Sequence, residues 1–201
     1  MVKDKKTVWY AIYCGALMAM NILAAKQIDI WRFTVTCGIF TSGFIFVAQD
    51  VMTELYGVKE SRKMIFSGYA VSLTMTALYQ LAIIVPPSVY WTAQEAFSTI
   101  LQTTLRITIA SFIAYSVGSI VNTKIMAMLK AKHPESLFIR AVTSTTAGQL
   151  LDNGLFAFIA FLGVLPINAL VSMTVGGTII EIITEIICFP LVKKLTEKGA
   201  D

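Results

Sequence analysis

The sequence predicts an all-α membrane protein, a six-transmembrane-helix bundle, and three observations carry that prediction. Of its 201 residues 56% are hydrophobic and only 14% charged, where soluble domains carry about 25% charged residues. Mean hydropathy is +0.73, and spans of about 20 apolar residues joined by short loops fit roughly six times into this length. The basic residues also segregate. Lys3, Lys5 and Lys6 precede the first span, and Lys59, Arg62 and Lys63 join the second to the third. Lys124, Lys130, Lys132 and Arg140 surround the connection from fourth to fifth, and Lys193, Lys194 and Lys198 follow the last. These are 13 of the 16 basic residues, all on one side of a six-span path. The opposite side keeps Lys26 and Arg32, and Arg106 falls inside a span. By the positive-inside rule both termini are cytoplasmic and the chain is a multi-pass protein of the cell membrane.

No polar stretch is long enough for a separate soluble domain, so residues 1–201 read as a single six-span transmembrane domain. The partner this implies is the lipid bilayer, and no nucleic acid is expected despite a net charge of +4. The first apolar run lacks a small-residue cleavage site and reads as a span, not a removable signal. Cys14, Cys37 and Cys188 are an odd number without CxxC spacing, which predicts neither a disulfide framework nor a zinc site. The single histidine, His133, falls in the polar segment KAKHPES, read as a loop. No cofactor or metal is expected.

The spans are read at 7–25, 33–56, 62–85, 101–129, 137–163 and 167–192. Span one carries Gly15 and Ala19 four apart, a small face that admits a neighbouring helix, and Asn21 near its outer end. Span two contains Gly38, Thr41, Ser42 and Gly43, a cluster that often marks a kink or unwound turn. It ends in FIFVAQDVMTELYGVKESRK, where Asp50 and Glu54 share one helix face. A carboxylate in hydrocarbon costs roughly 2.5–3.5 kcal/mol on insertion scales. Two readings stand: hydrated acids at the cytoplasmic interface, or acids lining a polar site inside the bundle.

Span three has few polar residues beyond Ser and Thr and reads as scaffold. Pro86 and Pro87 then stop the helix, and Tyr90 and Trp91 suit an interfacial aromatic belt. In span four, Arg106, Ala110, Ala114, Gly118 and Asn122 recur every four residues, a small-residue face headed by a guanidinium. That face suits packing within one subunit or across a homodimer. Span five starts from Arg140 and brings Asp152 about 18 Å along, close to the bilayer centre, with Gln149 one turn earlier and Asn153 beside it. Span six places Gly176-Gly177 before Glu181 and Glu185, again four apart.

Five acids at membrane depth (Asp50, Glu54, Asp152, Glu181 and Glu185) face one base, Arg106, and cannot pair off. Acids together with amides on a helical wall suit a flat heterocycle with several N–H donors, and Phe156, Phe158 and Phe161 offer rings for stacking. Acids in such a site can also carry protons. No HExxH, GxSxG or Walker loop occurs, nor any Ser/His or Cys/His set within the spans, so an enzyme is not expected.

The runs FIFVAQDVMTELYGVKESRK, RITIASFIAYSVGSIVNTKI and TSTTAGQLLDNGLFAFIAFLG together resemble the queuosine-precursor transporters, a vitamin-uptake-type family of six-span membrane proteins. The resemblance extends over roughly residues 7 to 195. Its most specific parts are D-x-x-x-E-x-Y-G at Asp50, Glu54, Tyr56 and Gly57, and G-Q-x-x-D at Gly148, Gln149 and Asp152. It implies import of 7-cyano- or 7-aminomethyl-7-deazaguanine, and an architecture similar to the substrate-binding subunits of energy-coupling-factor transporters. Gly43 departs from the proline frequent in that family, which leaves the shape of span two open. Within this reading Asp152 and Gln149 are expected to contact the base directly, with Glu181 or Asp50 as the second acid. Arg106 is expected as a ligand donor or an internal partner. Two other readings remain: a binding subunit that depends on a separate energising ATPase complex, and a purely structural membrane scaffold.

Overall fold

The computed structural model describes residues 2–132 and 137–197; His133 lies outside them. Within the described residues six helices and a small hairpin follow one another: α1 (Val2–Leu23), β1 (Gln27–Ile30), β2 (Phe33–Thr36), α2 (Ile39–Tyr56), α3 (Val58–Ile84), α4 (Gln94–Lys132), α5 (Leu137–Phe161) and α6 (Ile167–Glu197). Among the described residues three helices, Val58–Ile84, Gln94–Asn122 and Ile167–Glu197, are long and apolar enough to cross a membrane.

The largest differences from the sequence reading fall at two boundaries. The second apolar run begins as a strand, not a helix, up to Thr36. Trp31 takes a left-handed backbone with φ 56° and turns the chain, and the β-branched run Thr34-Val35-Thr36 pairs back on β1. The fourth helix starts seven residues earlier than expected, at Gln94, whose Nε2 donates to Ile83 O at 3.3 Å and ties the new helix to the end of α3. Ser42 and Gly43 lie within α2, which runs unbroken from Ile39 to Tyr56.

Contacts divide the chain into two compact units. The first holds residues 1–27, 36–108 and 183–201. There α1 packs on α2 and α3, and α2 on α3. Tyr13 and Leu17 of α1, Val51 and Met52 of α2, and Met64 and Tyr69 of α3 are all buried. Gly68 permits this approach, because a Cβ there would sit 2.6 Å from the Tyr13 ring. Gly57, at φ 83°, makes the sharp turn from α2 into α3. Near that turn Glu60 pairs with both Lys6 and Lys63, so α1 is fastened to the first turn of α3. Val47, Val51 and Val192 form an apolar cluster with Trp9 and Leu55 around it.

The second unit holds residues 28–35 and 109–182. The hairpin is held to α6 by a hydrogen bond from Thr34 N to Ser172 Oγ, 2.9 Å, and by Phe33 lying over Gly176. Along α4, Ala110, Ala114 and Gly118 are buried, the small-residue face read from the sequence. Gly163, at φ 83°, turns α5 into α6.

Candidate functional site

Close helix contacts in the second unit bring the polar residues of α5 and α6 together. Gly118 of α4 and Gly148 of α5 face each other so tightly that a Cβ on Gly118 would lie 2.8 Å from Gly148 O and 2.9 Å from Asp152 Cβ. A Cβ on Gly148 would lie 2.8 Å from Asn122 Cβ. Glycine at both positions therefore lets α5 lie on α4 with Asp152 in the contact. On the next face, Gly177 of α6 leaves room for Asn153; a Cβ there would come 2.7 Å from Asn153 Oδ1.

Asn153 is the hub of this arrangement. Its Nδ2 donates to Glu181 Oε2 at 2.6 Å and to Gln149 O at 3.1 Å, which uses both amide hydrogens. Glu181 lies one turn beyond Gly177 and within electrostatic reach of Asp152. Gln149 Oε1 is buried without a hydrogen-bond partner among the described residues. Each helix thus supplies a part: α4 the glycine seat, α5 two amides and an acid, and α6 the second acid. Chemically the cluster is rich in acceptors. Two carboxylates and an orphaned amide oxygen stand there, and the donor Asn153 is already committed.

Asp50, Glu54, Glu185, Arg106 and Asn21 lie in the first unit. Asp50 is within electrostatic reach of Glu185 and Glu54; Asp50 and Glu185 are half-buried and Glu54 is exposed. Arg106 is exposed on α4, at the head of the small-residue face, and not buried within it. Asn21 is buried, with 4% of its surface accessible. The candidate stacking rings pack on one another or outward: Phe156 meets Phe161 edge-on at 5.9 Å, Phe161 is buried and Phe158 exposed.

Sequence reasoning passed over the hydroxyls of α3 and α4. Ser72, Thr76, Thr104 and Thr108 are all buried, and Thr76 and Thr108 hydrogen-bond across the two helices at 3.1 Å. The signal was present: each pair is four residues apart, hence on one helix face.

Comparison with known proteins adds independent information. Three relatives are similar over most of this chain. A protein of Bacillus subtilis named "Probable queuosine precursor transporter" is 27% identical over 177 residues, 87% of this chain and 77% of its own. The "Queuosine precursor transporter" of Escherichia coli is 26% identical over 161 residues, 78% of this chain and 69% of its own. A "Probable queuosine precursor transporter" of Haemophilus influenzae is 26% identical over 147 residues, covering 72% of this chain and 59% of the relative. No solved structure matches. Residues 36–194 match the family described as "Putative vitamin uptake transporter", and that match takes in α2 to α5, α6 as far as Lys194, and every polar residue of the α5–α6 cluster. The chain therefore belongs to this family of membrane transporters, which are not enzymes.

Proposed function

We propose that the protein imports queuosine precursors, 7-cyano- or 7-aminomethyl-7-deazaguanine, as a proton-coupled secondary carrier of the cell membrane. In this reading the chain is a single six-span domain with both termini in the cytoplasm. The observation that carries the substrate assignment is the excess of acceptors around Asn153. Asp152 and Glu181 stand near each other, Gln149 Oε1 is buried without a partner among the described residues, and the nearest amide donor is spent on Glu181. A deazaguanine presents a ring N–H and an exocyclic amine side by side, and a carboxylate accepts two such bonds at once. Gln149 Oε1 takes a further N–H. The aminomethyl form adds a positive charge that a pair of acids attracts. The printed names of the three relatives support the same solute class.

Asp152 and Gln149 bind the base, Glu181 is the second acid, and Asn153 is the positioning residue that holds Glu181 in place. Asp50, Glu54 and Glu185 form a separate acidic group suited to taking up and passing on protons. Arg106, exposed on α4, is not needed in the binding face.

Purified protein in liposomes tests this reading. A proton gradient alone should drive accumulation of a deazaguanine. Strict dependence on an ATPase complex would replace the carrier mechanism with that of a binding subunit. Titration of the solubilised protein with guanine, the two deazaguanines and queuine should show a preference for the deazaguanines; equal indifference to all four removes the substrate assignment.

A further inference from the structure

The β1–β2 hairpin belongs to the same compact unit as the acceptor cluster, and its tip is strained. Trp31 holds a left-handed backbone, φ 56°, an outlier for a bulky residue where glycine would carry no strain. Strain of this kind collects at ligand clamps and switches. Trp31 is nonetheless 84% exposed, and Asp29, Ile30 and Arg32 around it are exposed too. The Arg32 guanidinium lies 5.7 Å from the indole centroid, so a flat ring and a cation are presented side by side.

The base of the hairpin fixes the direction of that tip. Thr34 N donates to Ser172 Oγ at 2.9 Å, and Phe33, one residue nearer the tip, lies over Gly176. The step from Thr34 to Phe33 therefore advances along α6 from Ser172 to Gly176, toward Glu181. Trp31 is two residues past Phe33, about 7 Å of strand. Glu181 is five residues past Gly176, about 7.5 Å of helix. On these rises the tip comes level with Glu181 along the α6 axis. Gly176 faces the hairpin and the adjacent Gly177 faces Asn153, so the hairpin flanks the seam of α5 and α6 on which the cluster stands.

The cluster lacks what this tip presents. Its Asn153 amide is spent on Glu181 and Gln149, and the rings of Phe156 and Phe161 are turned edge-on to each other. A deazaguanine has two flat faces and a keto oxygen. An indole stacks on such a face, and a guanidinium is all donor and no acceptor. We propose that the hairpin is a lid on the acceptor cluster, in which Trp31 stacks on the bound base and Arg32 donates to its keto oxygen. The exposed tip is the open position; in the closed one the residues beyond Phe33 bend over the seam. The inference rests on the deazaguanine reading above.

Trp9→Phe and Trp91→Phe together leave Trp31 as the single tryptophan, since the chain has three. In nanodiscs, acrylamide quenching of Trp31 fluorescence is measured with and without saturating 7-cyano-7-deazaguanine, and calorimetry reports binding separately. Bound base should shield Trp31 severalfold from acrylamide. In the otherwise native chain, Trp31→Ala and, independently, Arg32→Gln should each weaken binding by about tenfold. Melting temperature should not change, because both side chains are exposed. If Trp31 is instead an anchor in the lipid interface, acrylamide reaches it equally with and without bound base, and the lid is overturned. It is overturned too if Trp31→Ala binds the base with wild-type affinity. If calorimetry shows that wild type binds no deazaguanine, the substrate reading fails and the lid falls with it; binding without any change at Trp31 overturns the lid alone.

Discussion

Single glycines decide how closely the polar residues of the second unit can meet. Gly118 and Gly148 are each other's neighbours across α4 and α5, and neither has space for a methyl group. Gly118→Ala would press against the Gly148 carbonyl and the Asp152 side chain, and backbone cannot yield cheaply. A loss of about 1–3 kcal/mol is expected, as for overpacked cores, visible as a lower melting temperature in detergent. Gly177→Ala should behave differently. Its new methyl meets the end of the Asn153 side chain, which can swing aside. Stability should therefore change less, while the Asn153–Glu181 hydrogen bond is lost and ligand affinity falls by about tenfold. A melting curve and a binding titration on the two variants separate the effects.

At the scale of elements, the contact between α1 and α3 depends on charge at one end. Glu60 precedes the predicted span at 62–85, and its hydrogen bonds to Lys6 and Lys63 hold its carboxyl down at about 2, against an ordinary 4.5. A depressed acid contributes its stability fully above the unfolded value, and the contribution fades as pH falls through the folded one. Wild type should thus melt above Glu60→Gln at neutral pH by a constant margin. That margin should shrink below about pH 4.5 and vanish near pH 2. The margin is small, because the group is at the surface.

Helix positions were readable from the sequence because apolar runs and basic loops alternate, and α3, α5 and α6 begin and end near where those patterns change. The hairpin was not readable. Phe33–Thr36 is as apolar as a helix start, and what makes it a strand is non-local: the bond from Thr34 to Ser172, 138 residues away, and the fit of Phe33 on Gly176. The continuity of α2 through Gly43 was equally hidden, because a glycine in a helix is tolerated or exploited according to its neighbours. Here those are Cys188 and Thr184 of α6.

At the scale of the whole molecule, the acceptor cluster proposed to bind the solute was partly legible beforehand. Gln149, Asp152 and Asn153 were singled out by their depth in a polar half-helix, and Glu181 by its place after Gly176-Gly177. The bond by which Asn153 joins Glu181 came only from packing across α5 and α6. Asn21 was visible as a lone amide, whereas the cleft that it lines together with Ser72 depends on the packing of α1 on α3. Family membership assigns transport as the activity, and the proposed role of the acceptor cluster is to select the solute.

The most direct test of that claim is the affinity of the solubilised protein for 7-aminomethyl-7-deazaguanine in wild type, Asp152→Asn and Glu181→Gln. Each substitution keeps the side chain's size and removes its charge. If the cluster is the binding face, each should weaken binding by at least about tenfold, with melting temperature little changed. Wild-type affinity in both variants would contradict the account, since the base would then be held elsewhere.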